Sequence, residues 1–137
     1  LRWAMQRLGA LPGTRLLRSS RLYRTAPVDA AGPDFINAVV LLETCSTAPD
    51  LLAQLLALEQ LAGRERPYPN APRTLDLDLL LFGDASIDSP ALTVPHPRMA
   101  VRAFVLVPLA EVLPQAVPAR ALAAVADQRI TPLAEPG

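Results

Sequence analysis

The chain has 137 residues, 51% of them hydrophobic, and its 13 arginines balance 13 acidic residues without a single lysine. The lack of lysine excludes P-loop, protein-kinase and Schiff-base sites that need one, and the single histidine excludes zinc sites built on two or three imidazoles. No segment is long and apolar enough to span a bilayer, and the balanced charge is unlike that of a strongly basic nucleic-acid binder.

The first half of the chain predicts two helices and two strands. Apolar residues from Leu1 to Leu11 recur at helical spacing, and Pro12-Gly13 ends this helix. Thr47 is the predicted N-cap of the second helix, and Gly63 is its predicted C′ residue. The predicted elements are a helix over 1–11, strands over 14–25 and 35–43 with a loop over 28–34 between them, and a helix over 48–62.

The second half predicts a loop over 64–72, a strand over 74–82, an extended segment over 92–97 and a helix over 119–127. The pattern over 102–112 is ambiguous, and we favour a short helix near Pro108. If a strand preceded the first helix, the order of elements would be βαββαβ, which is the ferredoxin-like order. The first helix also begins without a cap. We therefore expect an α+β fold of the ferredoxin-like plait type, a single domain over 1–137 that is incomplete at its N-terminus and has extra C-terminal helices.

Asp76 and Asp78 lie two positions apart in the predicted strand. Strand side chains alternate between faces, so both carboxylates point to one side, about 6.6 Å apart along the backbone. Such a pair can flank one divalent cation or bracket two, and oxygen ligands favour Mg²⁺. The alternative is a solvent-facing strand edge whose acids oppose aggregation. The apolar residues that follow favour a central strand, where two acids need cationic partners.

Arginines surround this pair in the sequence. Guanidinium groups bind phosphate oxygens bidentately, so arginines together with Mg²⁺ suit a polyphosphate ligand. A loop that carries such arginines could close over the bound polyphosphate. Scattered surface arginines and a structural histidine are the alternatives. The candidate cations are Arg64, Arg66, Arg73, Arg98 and Arg102, with His96 beside the last two.

A second cluster combines an amide with two aromatic rings. Asn37 lies in an apolar predicted strand, where its amide needs partners and can offer both donors and an acceptor to the edge of a heterocycle. Phe35 and Phe104 could stack on such a ring, with plain core packing as the alternative for both.

Five segments of the sequence follow one another in the order known from a protein family, and the similarity spans residues 1 to about 115. The segments are YRTAP (23–27), PDFINAVVLLET (33–44), LEQLAGRER (58–66), APRTLDLDLLLFG (71–83) and LTVPHPRMAVRAFVLVPLAEVLP (92–114). Together they resemble the 6-hydroxymethyl-7,8-dihydropterin pyrophosphokinase family. The resemblance implies a ferredoxin-like α+β plait and a transferase of folate biosynthesis that moves the diphosphate of ATP to a reduced pterin and releases AMP. ATP would be the co-substrate, and two Mg²⁺ ions would be the cofactors.

The resemblance also implies roles for individual residues. Asp76 and Asp78 would hold both metal ions, and Arg64 and Arg73 would join them as catalytic residues. The pterin contacts would be Thr25, Pro27, Phe35, Asn37 and Phe104. The ATP contacts would be Glu59, Arg66, Arg73, Thr93, His96 and Arg102. The partners would be these small molecules alone, without nucleic acid or membrane, and we expect a monomer or weak dimer. One cysteine allows no disulfide within the chain, which favours a cytoplasmic location.

The sequence departs from the family pattern in places. Phe35 replaces a frequent tyrosine, Asn70 stands where some members have tryptophan, and Ala91 stands where some have arginine. The tail after about residue 115 matches poorly. The family's first strand and its Gly-Ser-Asn-like turn have no counterpart before Leu1, so we expect the sequence to be trimmed there. The rival hypotheses are an inactive nucleotide- or pterin-binding regulatory module and an RNA-binding plait, for which six aromatic residues without an RNP-like run are too few.

Overall fold

A computed structural model describes residues 2–25, 35–64 and 76–133, and these residues form an α+β fold, as the sequence predicts. None of the helices within these ranges is long and apolar enough to cross a membrane. The helices are α1 (Arg2–Gly9), α2 (Ala48–Arg64), α3 (Ala103–Val112) and α4 (Ala119–Ala124), with 3-10 turns at Met99–Val101 and Pro114–Ala116. The strands are β1 (Thr14–Ser19), β2 (Tyr23–Thr25), β3 (Phe35–Asn37), β4 (Val40–Thr44), β5 (Ile87–Asp88), β6 (Thr93–Val94) and β7 (Thr131–Pro132).

The chain divides into two compact units. The described part of unit 1 comprises residues 16–25, 35–42 and 98–133, and that of unit 2 comprises 2–15, 43–64 and 76–97. The predicted loop over 28–34 lies outside the described residues, and so does the predicted loop over 64–72 apart from Arg64, which is the last residue of α2 and not part of a loop.

Both helices of unit 2 form where they are predicted, although α1 ends at Gly9, two residues before the predicted end at Leu11. Ala4 and Leu8 of α1 are buried, as the helical spacing of its apolar residues requires. Thr47 caps α2, since its Oγ1 accepts the N–H of Asp50 at 3.3 Å. The prediction that Gly63 is the C′ residue is wrong. Gly63 has no left-handed φ and lies inside α2, which continues to Arg64.

The predicted strand over 74–82 is not formed in its described part, residues 76–82. Its apolar side chains are held by packing, because Leu79 and Phe82 lie against a buried cluster of Ala48, Leu92 and Val94. The carbonyl of Leu80 accepts the N–H of His96 at 2.8 Å. A short run of apolar residues can be buried without pairing to a neighbouring strand. Such a run therefore does not by itself identify a central strand. The neighbouring extended segment forms β6, which pairs antiparallel with β5.

In unit 1, β2 is the central strand of an antiparallel sheet ordered β3-β2-β7. The two strands predicted over 14–25 and 35–43 are each interrupted, and β1 pairs with β4 whereas β2 pairs with β3. At the interruption, the hydroxyl of buried Ser20 accepts the N–H of Val39 at 2.9 Å and donates to the Arg21 carbonyl at 2.7 Å, while the Ser20 N–H donates to the Val39 carbonyl at 2.8 Å. A side-chain oxygen thus takes one position of a backbone ladder pair at this point.

Helix α3 supplies most of the buried apolar residues of unit 1 and packs against β2. The sequence favours a helix here despite Pro108, and the structure confirms it with Pro108 buried inside the helix. The predicted final helix is also confirmed in its first part, as α4. The buried residues of this core are Tyr23, Ala103, Val105, Leu106, Leu109, Val112, Val117 and Val125.

Candidate active site

The candidate residues fall into two sets, one in each unit. The pterin candidates that the structure describes all lie in unit 1, and those for metal and ATP lie in unit 2 except Arg102. Pro27, Arg66 and Arg73 lie outside the described residues, and Arg64 is described only as the last residue of α2. The unit 1 set is Thr25, Phe35, Asn37, Arg102 and Phe104; the unit 2 set is Glu59, Asp76, Asp78, Thr93 and His96.

The two aspartates keep the predicted alternation although no strand is assigned there. Asp76 and Asp78 are exposed, whereas Leu77 and Leu79 are half-buried. Both aspartates are therefore open to solvent, while the leucines between and after them are partly covered.

Glu59 lies near this aspartate segment. It projects from α2, and its carboxylate accepts a hydrogen bond from the backbone N–H of Leu77, the residue between the two aspartates. Partial burial raises the pKa of Glu59 above its ordinary value of 4.5, and the negative charges of Asp76 and Asp78 raise it further, while the Leu77 bond opposes them. The structure thus adds a bond to the aspartate segment that no spacing rule in the sequence indicates.

The aspartate pair has the donor chemistry of a magnesium site. Mg²⁺ in proteins keeps several water ligands and is often held by one or two carboxylates plus substrate phosphates. Among the described residues no three side chains of His, Cys, Asp or Glu form a metal-binding group. Two exposed carboxylates are donors that suit a cation arriving with a phosphate ligand.

The two remaining ATP candidates of unit 2 lie around the β5–β6 pair. Thr93 is half-buried in β6, opposite Asp88 of β5. His96 is half-buried and donates its backbone N–H to Leu80, two residues after Asp78. This bond ties the backbone of the histidine to the aspartate segment.

In unit 1 the structure brings two of the predicted pterin contacts together. Asn37 Nδ2 donates to Thr25 Oγ1 at 3.0 Å, which fixes the orientation of the amide. This bond uses one of the hydrogen-bonding positions of the amide, which has two donors and a carbonyl acceptor. Phe35, opposite Thr25 in the strand register, is 57% exposed, so its ring is not a core residue.

Phe104 lies in the first turn of α3 and is half-buried. The Arg102 guanidinium lies over its ring, 5.3 Å from the centroid, in cation–π geometry. One face of the ring is thus covered by a cation. The bond between Asn37 and Thr25 and the position of Arg102 were not foreseen from the sequence.

Comparisons with known proteins agree with the motifs. The family model for 7,8-dihydro-6-hydroxymethylpterin-pyrophosphokinase matches residues 1–114. A Synechocystis protein is 45% identical over 114 residues, which cover 83% of this chain and 58% of that protein. A Pseudomonas aeruginosa protein is 47% identical over 112 residues, which cover 81% of this chain and 69% of that protein. Both relatives are named 2-amino-4-hydroxy-6-hydroxymethyldihydropteridine pyrophosphokinase.

Proposed function

The chain belongs to the 7,8-dihydro-6-hydroxymethylpterin-pyrophosphokinase family, and on this premise we propose that it transfers the diphosphate of ATP to the hydroxymethyl group of 6-hydroxymethyl-7,8-dihydropterin and releases AMP. The reaction is a step of folate biosynthesis. The observation that carries the proposal is the family match over residues 1–114, which contain every candidate contact for metal, ATP and pterin. We also propose the ferredoxin-like plait for its fold and a monomer or weak dimer as its state.

Asp76 and Asp78 would hold two Mg²⁺ ions on the phosphates of ATP. When bound, the metal ions neutralise phosphate charge and lower the pKa of the attacking hydroxyl. Exposure of both carboxylates supports this role, because the metal must be shared with a substrate that enters from solvent. Glu59 would keep the segment in place through its bond to the Leu77 N–H.

The arginines would bind the phosphates and stabilise the charge that develops during transfer. Arg64 and Arg73 would act at the reacting phosphates, and Arg66 would bind ATP. Phosphoryl transfer depends mainly on positioning and electrostatic stabilisation, so no strong protein base is needed. The other ATP contacts would be Glu59, Thr93, His96 and Arg102.

The pterin would bind to the set in unit 1. The Asn37 amide, oriented by Thr25, has the donors and acceptor that the pterin edge requires. Phe35 and Phe104 would stack on the two faces of the ring system. The backbone near Thr25 and Pro27 would complete the pocket.

The test is to incubate the protein with ATP, Mg²⁺ and 6-hydroxymethyl-7,8-dihydropterin and to quantify AMP and the pterin diphosphate. The proposal expects equal amounts of both products, no AMP when the pterin is omitted, and loss of turnover in EDTA that added Mg²⁺ reverses. Binding of both substrates without AMP would overturn the transfer and favour the inactive regulatory module.

A further inference from the structure

Tyr23, Arg21 and Glu111 form a hydrogen-bonded cluster in unit 1 that the proposed reaction does not use. The Tyr23 side chain is buried, with 2% of its surface exposed, and its hydroxyl donates to Glu111 Oε2. The other carboxylate oxygen, Oε1, accepts the backbone N–H of Arg21 at 2.9 Å. Arg21 Nη2 donates to the Tyr23 hydroxyl at 3.1 Å, and Arg21 Nε lies 3.5 Å from Glu111 Oε2. Both oxygens of Glu111 are thus engaged by residues at the start of β2.

The strand side of this cluster continues into the proposed pterin contacts. In the β2–β3 register Tyr23 lies opposite Asn37, and Thr25 lies opposite Phe35. Side chains opposite each other, or two apart along a strand, share one face of the sheet. Tyr23 therefore shares its face with Thr25, Phe35 and Asn37, about 6.6 Å along β2 from Thr25.

The helix side of the cluster leads to Phe104. Glu111 is the residue before the last of α3, and Phe104 is the second. Seven residues are close to two helical turns, so the two side chains lie on the same side of α3, about 10.5 Å apart along its axis. The bond from Tyr23 to Glu111 therefore attaches the Phe104 side of the helix to the Asn37 face of the sheet.

We propose that Glu111 is a positioning residue for pterin binding: its bonds to Tyr23 and Arg21 set the separation between Phe104 on α3 and the Thr25–Phe35–Asn37 face of β2 and β3. This inference rests on the proposed function. Two rings on opposite faces of a planar ligand must stand about 7–8 Å apart, twice the carbon–carbon contact distance, so a small shift of α3 loses contact on one side. Tyr23 and Glu111 are 88 positions apart, which explains why no sequence pattern indicates the pair.

The test uses Glu111→Ala, Tyr23→Phe and the double variant, with Glu43→Ala as control. Tyr23→Phe keeps the buried ring and removes only the hydroxyl, so it tests the bond even if Glu111→Ala does not fold. Glu43 belongs to a solvent-exposed ion pair with Arg15 on another strand pair, and its loss should change little. The measurements are the dissociation constant of the pterin at saturating non-hydrolysable ATP analogue, that of the ATP analogue alone, and thermal unfolding.

We expect each variant to weaken pterin binding roughly tenfold, the typical effect of losing a hydrogen bond to a charged group. We expect binding of the ATP analogue to change less than about twofold, and the double variant to resemble the single ones because all three lack the same bond. Reduced thermal stability with unchanged pterin affinity would overturn the inference and leave a structural bond. If the unaltered protein bound no pterin at all, the proposed function itself would fail, and the inference with it.

Discussion

Asp76 and Asp78 are exposed acids on a segment whose leucines are partly covered. If they hold magnesium on the ATP phosphates, Asp76→Ala or Asp78→Ala should each lower turnover by about a thousandfold or more. The reason is that the metal lowers the free energy of the charged transition state by several kcal/mol. The assay is AMP release at saturating ATP and Mg²⁺. Asp84→Ala is the matched control, since Asp84 is an exposed acid in the turn that follows the same segment. Near-normal turnover of either alanine variant would contradict the metal role.

The raised pKa of Glu59 predicts how the stability of the folded protein changes with pH. Burial raises its pKa in the folded protein above 4.5, so between 4.5 and the raised pKa the folded state binds more protons than the unfolded state. This contribution to stability is present below the unfolded pKa and is lost as pH rises through the folded pKa. Glu59→Gln removes it, so the variant should gain free energy of unfolding relative to the unaltered protein as pH rises from 4.5, up to a plateau above the raised pKa.

Urea unfolding of both proteins across this pH range, without divalent cations, measures the difference. Glutamine keeps an oxygen that can accept the Leu77 N–H, so the substitution mainly removes the charge. A difference that stays constant with pH, or that shrinks as pH rises, would show that the carboxylate is not destabilised by its surroundings.

Among the elements, α3 depends on a residue outside the helix for its N-terminal cap. Arg102 at the cap position makes no side-chain capping bond, and Gln128 supplies one instead. Gln128 Oε1 accepts the N–H of Ala103 at 2.9 Å, and its Nε2 donates to the carbonyl of Val101 at 2.9 Å. Gln128 thus joins the segment after α4 to the turn that carries Phe104.

Gln128→Ala should therefore lower the free energy of unfolding by about 0.5–2 kcal/mol, the usual cost of losing a cap, and the midpoint of thermal unfolding by roughly 2–8 °C. Gln115→Ala is the control, since Gln115 is exposed in a 3-10 turn of the same unit. Equal midpoints for the two variants would mean that the Gln128 bonds add nothing to the stability of α3.

The elements also show what the sequence can and cannot predict. Helices α1 and α2 follow from apolar spacing and from the Thr47 cap, which are local signals, whereas the almost wholly apolar sequence of α3 leaves its type ambiguous. The strand predicted over 74–82 failed because a ladder depends on a neighbour that the segment itself does not encode. Residues 14–25 and 35–43 were predicted as continuous strands, and the interruption at Ser20 involves its bond to Val39, 19 positions away.

The residues of the candidate site also divide into those predicted from local sequence and those whose role depends on contacts with distant residues. Asp76, Asp78 and Asn37 were identified from residue type and local pattern, without knowledge of the fold. The contacts that orient them were not, because each joins residues distant in sequence: Asn37 to Thr25, and Glu59 to the Leu77 N–H. Sequence chemistry thus predicts which groups touch substrates, whereas the residues that hold those groups required the structure.

For the whole molecule, the division into two units follows a division of proposed ligands at every described candidate except Arg102. The described pterin candidates belong to unit 1, and the described candidates for metal and ATP other than Arg102 belong to unit 2. If each unit binds its own substrate, a substitution in one unit should weaken one substrate and spare the other. Asn37→Ala and His96→Ala provide the two halves of this comparison.

Asn37→Ala should weaken pterin binding roughly tenfold or more, because it removes several hydrogen-bonding positions at once, and should leave the ATP analogue within about twofold. His96→Ala should weaken the ATP analogue about five- to tenfold, and should leave the pterin constant unchanged when the nucleotide is saturating. Calorimetric titration of each variant with each ligand gives the four constants. Saturation matters because a nucleotide-dependent pterin site would otherwise transmit the His96 defect through linkage. If Asn37→Ala weakened both ligands equally, the two substrates would share one binding unit, and the assignment of Asn37 to the pterin edge would be wrong.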